Sequence, residues 1–217
     1  MTATVDALLP LSFLEGVRNV DSPDDDLETE LTPEFRNKRL GLTDTVYAQI
    51  RRYSEAVRRH QRLLFDDAAA IATLIGRRPD AARVFRAAGR YLALQTYESI
   101  AAPTRGLIAS LPAFVSRPMA MRQSRRIVKH YLDGTLQSSG MTVMLAIPRS
   151  ATVHSAPTSA GCTYYEAFLQ ELLTLLGARD GQVEHIRCVS RGDGACEWRT
   201  EWRLADRTEP EVARHSA

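Results

Sequence analysis

The last third of the chain contains two short stretches, GCTYY at residues 161–165 and QVEHIRCVSRGDGACEW at residues 182–198. Together they hold all three cysteines, Cys162, Cys188 and Cys196. The Gly-Asp-Gly sequence at residues 192–194 is typical of a turn between two strands. It predicts a hairpin that brings Cys188 and Cys196 together. A helix beginning at Cys162 needs only to pack on this hairpin to add the third thiol.

This grouping of thiols predicts a metal site. Structural zinc takes four ligands in a tetrahedron, most often thiolates and imidazoles. His185 precedes Cys188 in the same predicted strand and completes a set of three cysteines and one histidine, for which structural zinc is the expected metal. The alternative is that the cysteines are small hydrophobic residues of the core. That alternative leaves their clustering around one turn unexplained.

The position of His185 sets a geometric condition. Side chains alternate between the two faces of a regular strand, so His185 and Cys188 would point to opposite faces. A bulge between them would bring both side chains to one face. In a strand without a bulge, Glu184 shares the face of Cys188 and is the back-up ligand.

The pattern of apolar residues predicts a mixed α+β fold with an antiparallel sheet. Helical spacing extends over residues 43–57, 63–75, 80–95, 119–132 and 163–176. Runs of strand-forming residues cover residues 141–147, 182–190 and 195–204. Gly89 lies inside a predicted helix, where glycine costs about 1 kcal/mol relative to alanine. We therefore expect another element to pack closely against it.

The two ends of the chain differ in composition from the middle. Residues 1–40 contain five acidic residues between positions 24 and 30 and little apolar periodicity. We expect a largely flexible acidic tail there, with a short helix at residues 7–17 as its only regular structure. Residues 41–204 are the predicted domain, and the polar residues 205–217 are predicted to be a flexible C-terminal tail.

Composition narrows the classes of function. A formal net charge of +2 argues against a general affinity for nucleic acid, although a basic helix at residues 119–132 keeps nucleic acid as the lowest alternative. No apolar run is long enough to cross a bilayer, and no basic residue precedes the first apolar stretch. We therefore expect a cytoplasmic protein without membrane attachment. The sequence contains no phosphate-binding loop and no nucleophile elbow.

The two cysteine-containing stretches resemble the 4-vinyl-reductase-like domain family. This domain occurs in a bacteriochlorophyll-biosynthesis protein and in the sensor region of aromatic-responsive bacterial transcription activators. Its members carry a Cys before a helix, an acidic residue three positions before a second Cys, a Gly-containing turn and a third Cys. Cys162, Cys188 and Cys196 match in order and spacing, and Trp198 matches an often aromatic position. His185 replaces the acidic ligand, and imidazole binds zinc at least as well.

The resemblance implies an antiparallel sheet and helices that enclose a mostly apolar pocket. We expect this pocket between the helices before Leu132 and the strand at residues 141–147. It implies a sensory or regulatory protein that binds an apolar, aromatic small molecule, with output through a homodimer or a partner protein. The alternative is an enzyme or accessory factor in tetrapyrrole biosynthesis. No cofactor motif or acid–base pair is evident, so we expect no catalytic residues.

Overall fold

The computed structural model describes residues 3–21, 44–153, 155, 159–179 and 181–204. The helices in this part of the chain are α1 (Leu8–Asp21), α2 (Asp44–Arg58), α3 (Phe65–Gly76), α4 (Ala81–Glu98), α5 (Ala102–Ser110), α6 (Ala113–Leu132) and α7 (Thr163–Leu175). The strands are β1 (Thr4–Asp6), β2 (Arg62–Leu64), β3 (Thr135–Ser139), β4 (Thr142–Ile147), β5 (Ala178–Arg179), β6 (Glu184–Arg187), β7 (Cys196–Glu201) and β8 (Arg203–Leu204). The predicted α+β class with antiparallel sheets is confirmed. Within the described ranges, no helix is both long enough and apolar enough to cross a membrane.

The N-terminal helix α1 belongs to the hydrophobic core. All of its residues from Leu8 to Val17 are buried, and the Phe13 ring packs edge-on against Phe85 and Tyr164. The predicted flexible tail is therefore wrong for residues 3–21, although a helix is present where one was expected. A helix that is apolar on nearly all sides is a buried helix. The predictions for residues 22–40 and 205–217 lie outside the described residues.

The short strand β1 is anchored to the rest of the fold by β2. The two strands pair antiparallel, with Val5 opposite Leu63. This pairing takes residues 62–64 out of the helix that was predicted to start at residue 63. Helix α3 therefore begins at Phe65.

Three helices, α1, α4 and α7, pack against one another and form the helical part of the core. At Gly89 the backbones of α4 and α7 approach so closely that an added Cβ would lie 2.2 Å from the carbonyl oxygen of Tyr164. The close packing expected at this glycine is confirmed. A buried hydrogen bond of 2.8 Å between the hydroxyls of Ser12 and Tyr164 joins α1 to α7.

A four-stranded antiparallel sheet in the order β3-β4-β7-β6 covers one side of these helices. Buried residues alternate along its two central strands: Val143, Leu145 and Ile147 in β4, and Cys196, Trp198 and Thr200 in β7. Strand β3 was not predicted, because its sequence TLQSS contains a single strongly apolar residue. It pairs with β4 over its whole length.

Helix α6 starts at Ala113, six residues before the predicted start at residue 119, and it includes Pro118. Proline removes one helical N–H and crowds the preceding turn, but here it lies near the start of a helix of 20 residues. From α6 the guanidinium of Arg125 donates to the Leu136 carbonyl at 3.2 Å and to the Ser138 hydroxyl at 3.0 Å. These bonds cover the outer edge of β3, which would otherwise be open to strand pairing.

Candidate metal centre

Three elements bring the cysteine sulfurs together. Cys162 ends a short 3-10 turn at the start of α7, Cys188 follows β6, and Cys196 begins β7. The Sγ atom of Cys188 lies 3.7 Å from that of Cys162 and 3.9 Å from that of Cys196. All three cysteines are buried and none forms a disulfide. The predicted docking of a helix start on the hairpin is therefore present.

His185 completes the group, which we call the Cys–His cluster (Cys162, His185, Cys188 and Cys196). One ligand atom from each of the four residues lies within 4.8 Å of every other. The register of β6 against β7 shifts between His185 and Arg187. This irregularity is the bulge that the sequence required, because it lets His185 and Cys188 face the same side.

Glu184, the back-up ligand, lies outside the cluster. Its carboxylate is exposed and accepts a hydrogen bond of 2.7 Å from Arg199 in the neighbouring strand. In a strand without a bulge, Glu184 was expected on the same face as Cys188, and the bulge explains why it is not. Because the bulge turns His185 toward the cysteines, Glu184 remains on the outer face.

The imidazole of His185 is held by an aromatic stack. Its ring lies nearly parallel to the Trp198 indole, with 4.8 Å between centroids and 14° between planes. Trp198 is fully buried and also packs against Tyr165 of α7, with 5.1 Å between ring centroids. The sequence identified Trp198 only through the family resemblance. In the structure it is the residue that orients the histidine.

The loop between Cys188 and Cys196 supplies hydrogen bonds to the sulfurs. The amide of Val189 donates to the Cys196 Sγ at 3.4 Å, and the Ser190 hydroxyl lies 2.9 Å from the Cys188 Sγ. The Asp193 carboxylate accepts from the Cys188 amide at 2.7 Å. Gly192 adopts a positive φ of 93° that closes the loop, a conformation that glycine takes without strain.

The sequence missed this outer layer of contacts. It identified the Gly-Asp-Gly turn, but no signal marked Ser190 or Asp193 as partners of a ligand. Outer-layer hydrogen bonds of this kind orient metal ligands and tune their basicity. The loop is therefore part of the candidate centre as well as a connection between strands.

The thiols of Cys162 and Cys196 shift each other's pKa in opposite directions. Hydrogen bonding, from Cys162 first and also from the Val189 amide and Cys188, lowers the pKa of Cys196 to about 5 against the opposing effect of burial. The same contact with Cys196, together with burial, raises the pKa of Cys162. The cluster thus favours a thiolate at Cys196, and thiolate is the form that binds metal. Helix α7 directs its positive end toward this group.

The donor set fits tetrahedral zinc. Two sulfurs on a tetrahedron with zinc–sulfur bonds of about 2.3 Å lie roughly 3.8 Å apart, close to the 3.7 and 3.9 Å separations seen here. The Nε2 atom of His185 is buried and has no hydrogen-bond partner among the described residues. A bound metal would satisfy this nitrogen.

A separate cavity of about 270 Å³ lies beside the N-terminal strand. We call it the N-terminal cavity; its lining includes Val5, Leu9, Phe65, Leu132, Arg149 and Tyr165. The end of α6 contributes to this lining as expected, whereas the strand at residues 141–147 does not. The sequence missed β1 and α1 as walls because they were assigned to a tail.

Comparison with known proteins adds no assignment. No protein-family model and no curated protein sequence matches the chain. We therefore infer the function from the Cys–His cluster, the N-terminal cavity and the resemblance of the cysteine-containing stretches.

Proposed function

We propose that the protein is a small-molecule-binding domain of the 4-vinyl-reductase-like type, stabilised by one structural zinc ion. The observation that carries the proposal is the convergence of Cys162, His185, Cys188 and Cys196, whose ligand atoms lie within 4.8 Å of one another. The three cysteines match the family motif, and His185 stands where the family has an acidic ligand. They join the start of α7 to the β6–β7 hairpin, which is where a metal would hold a helix on the sheet.

The composition of the cluster favours a structural role over a catalytic one. A catalytic zinc keeps one coordination position open for water or substrate, whereas a structural zinc has four protein ligands. Here four protein ligands are available, and the three cysteines are buried. A nearby general base would also be needed for hydrolysis. The two glutamates that adjoin ligands in the sequence, Glu184 and Glu197, are paired with Arg199 and Arg187.

The N-terminal cavity supports a small ligand with an apolar body. Ligand pockets for drug-sized molecules occupy roughly 300–1,000 Å³, and this cavity of about 270 Å³ lies just below that range. Its size favours a single aromatic ring over a tetrapyrrole. The side chains of Val5, Leu9 and Leu132 supply an apolar wall. We propose that the ligand is bound and released unchanged.

Metal analysis tests the first half of the proposal. Purified protein should contain about one zinc ion per chain and retain it through dialysis. Native mass spectrometry reports the metal, any carried ligand and the oligomeric state in one measurement. Folded protein that contains no zinc, or Cys188→Ser and Cys196→Ser variants with unchanged stability, would contradict the structural zinc.

A thermal-shift screen tests the second half. A ligand that binds only the folded state raises the apparent unfolding temperature. The panel should include neutral and acidic single-ring aromatics, lipid-like compounds and tetrapyrroles. A shift with a compound that is recovered unchanged supports the binding domain. Turnover of that compound would favour an enzyme, and a shift restricted to tetrapyrroles would favour the biosynthetic alternative.

The screen also separates this proposal from a nucleic-acid function. Two arginines of the basic helix α6 are engaged within the fold: Arg125 bonds to β3, and Arg117 donates to the Gly140 carbonyl. These contacts take part of the basic face away from phosphates. Salt-sensitive DNA binding that is lost in Arg122→Ala or Arg126→Ala, without a shift by any compound, would overturn the ligand-binding proposal.

A further inference from the structure

We propose that the N-terminal cavity takes a small organic carboxylate, with Arg149 binding the carboxylate and the apolar wall holding a single-ring body. This inference rests on the proposed ligand-binding function and adds the chemical class of the ligand. It also changes the expectation of a purely apolar ligand. The lining of the cavity contains a single arginine, Arg149.

Arg149 brings a positive charge to a cavity whose lining is part polar and part apolar. Its guanidinium carbon lies 5.7 Å from the centroid of the Phe65 ring, which lines the same cavity. Stacking on an aromatic face holds a guanidinium in place and leaves its N–H donors free at the edge. In the described part of the chain, none of the ion pairs includes Arg149.

The acidic residue of the cavity does not cancel this charge. Asp133 also lines the cavity, but its carboxylate lies 2.8 Å from the Lys129 ammonium and its side chain is 70% exposed. It therefore lies at the mouth and already has a cationic partner. The fork of five N–H donors in arginine matches a carboxylate in bidentate geometry.

The remaining walls fit a flat apolar body. Val5, Leu9 and Tyr165 are buried, and these residues line the inner side of the cavity. The Tyr165 hydroxyl already accepts a hydrogen bond from the Ala151 amide at 3.2 Å. Its ring therefore offers mainly an apolar face. A ligand with an acidic group at one end and a ring at the other matches this division of polar and apolar surface.

Benzoate and benzamide provide a matched pair of probes, because they share shape and differ in charge. Their affinities for the zinc-loaded protein should be measured by isothermal titration calorimetry. We expect benzoate to bind at least about tenfold more tightly than benzamide, since a hydrogen bond to a charged partner contributes more than a neutral one. Arg149→Gln should remove this difference, and Arg149→Lys should keep part of it.

The matched control is Arg126→Gln, which removes a charge from the exposed face of α6 outside the cavity lining. It should leave the benzoate affinity within about twofold of the unmodified protein, because exposed charges at a distance are screened by salt. All variants should first be shown to keep their zinc and their unfolding temperature. Arg149 is exposed, so these substitutions leave the core intact.

The outcomes separate this inference from the proposed function. Equal binding of benzoate and benzamide, or undiminished benzoate preference in Arg149→Gln, would overturn the carboxylate inference and leave a neutral-ligand domain standing. If neither probe binds but another neutral aromatic compound of the thermal-shift panel does, the carboxylate inference is also overturned. If folded, zinc-loaded protein binds no compound of any class, the ligand-binding function itself fails.

Discussion

Three local structural features place the four ligands of the Cys–His cluster. Cys162 lies where a 3-10 turn passes into α7, Cys188 and Cys196 flank a loop closed by Gly192, and His185 is turned inward by a bulge. The spacing of the cysteines and the Gly-Asp-Gly turn predicted the first two features. The bulge followed only from the geometric condition on His185, because β-bulges have no reliable sequence signal.

The first prediction concerns the choice between His185 and Glu184. His185→Ala should weaken zinc affinity by at least about 100-fold, more than the typical loss when an outer-layer contact to a ligand is removed. Glu184→Ala is the matched control and should leave zinc affinity unchanged, because this carboxylate pairs with Arg199. Competition with a chromogenic chelator measures both affinities. A larger loss in Glu184→Ala would assign the fourth ligand to the carboxylate.

The second prediction concerns Glu15, a buried carboxyl group in α1. Burial raises its pKa above 4.5, and the nearby Arg18 guanidinium offsets only part of this effect. Because the pKa of Glu15 is higher in the folded state than in the unfolded state, the protonated group contributes stability, and this contribution is fully present below the unfolded-state pKa. It is lost as pH rises through the folded-state value. Ionised Glu15 therefore lowers stability at neutral pH.

Glu15→Gln should accordingly raise the unfolding temperature at pH 7. The gain should shrink as the pH falls through the raised folded-state pKa and should be small below about 4.5, where glutamate is mostly neutral in both states. Thermal unfolding between pH 4 and pH 7.5 measures the difference. A loss of stability in Glu15→Gln at pH 7 would show that the ion pair with Arg18, at 2.7 Å, outweighs the cost of burial.

At the scale of elements, the sequence was most informative where periodicity is strong. Helices α4 and α7 and strand β4 lie within two or three residues of their predicted bounds. The polar strand β3 was not predicted because its sequence lacks the alternation of apolar and polar residues that indicates a strand. Helix α1 was misassigned because the acidic residues after it dominated the composition of the N-terminal segment. Its apolar residues on all sides were the signal that identifies a buried helix.

The third prediction concerns the contact between α4 and α7. Gly89→Ala would place a Cβ 2.2 Å from the Tyr164 carbonyl oxygen. The helices must then move apart, which we expect to cost roughly 1–3 kcal/mol of unfolding free energy, as in other overpacked cores. Because α7 carries Cys162 at its start, zinc affinity should fall as well. Urea denaturation and chelator competition measure the two effects.

Gly106→Ala is the control for this substitution. Gly106 also lies inside a helix, but an added Cβ there would meet nothing within 4 Å. Alanine is favoured over glycine in a helix by about 1 kcal/mol, so this variant should be as stable as the original protein or more so. If both variants behave alike, the close approach at Gly89 does not limit stability.

At the scale of the whole molecule, the metal centre and the N-terminal cavity share a continuous aromatic path. Tyr165 lines the cavity, packs on Trp198 and through it reaches His185, with ring centroids 5.1 and 4.8 Å apart along the path. Because buried rings are closely packed with few voids between them, a shift of one ring displaces the ring next to it. Ligand and metal are therefore expected to influence each other through these three side chains.

The fourth prediction is that zinc and a cavity ligand bind with positive cooperativity. The coupling must be reciprocal: if benzoate raises zinc affinity by some factor, zinc raises benzoate affinity by the same factor. We expect at least about fivefold, the lower end of common allosteric couplings. Zinc affinity is measured by chelator competition with and without saturating benzoate, and benzoate affinity by calorimetry with and without zinc.

The path itself is tested by Trp198→Phe, which keeps an aromatic ring but shortens the contact between His185 and Tyr165. This variant should bind zinc and benzoate with only modest losses of affinity, while the coupling factor falls toward one. The smaller phenyl ring leaves a gap beside its neighbours, and van der Waals attraction across a gap decreases steeply with distance. A coupling factor unchanged in Trp198→Phe would show that the two sites communicate through the backbone of α7, which carries both Cys162 at its start and Tyr165 one turn later. If the original protein binds both zinc and benzoate but shows no coupling, the zinc stabilises the fold and its affinity does not depend on the ligand in the cavity.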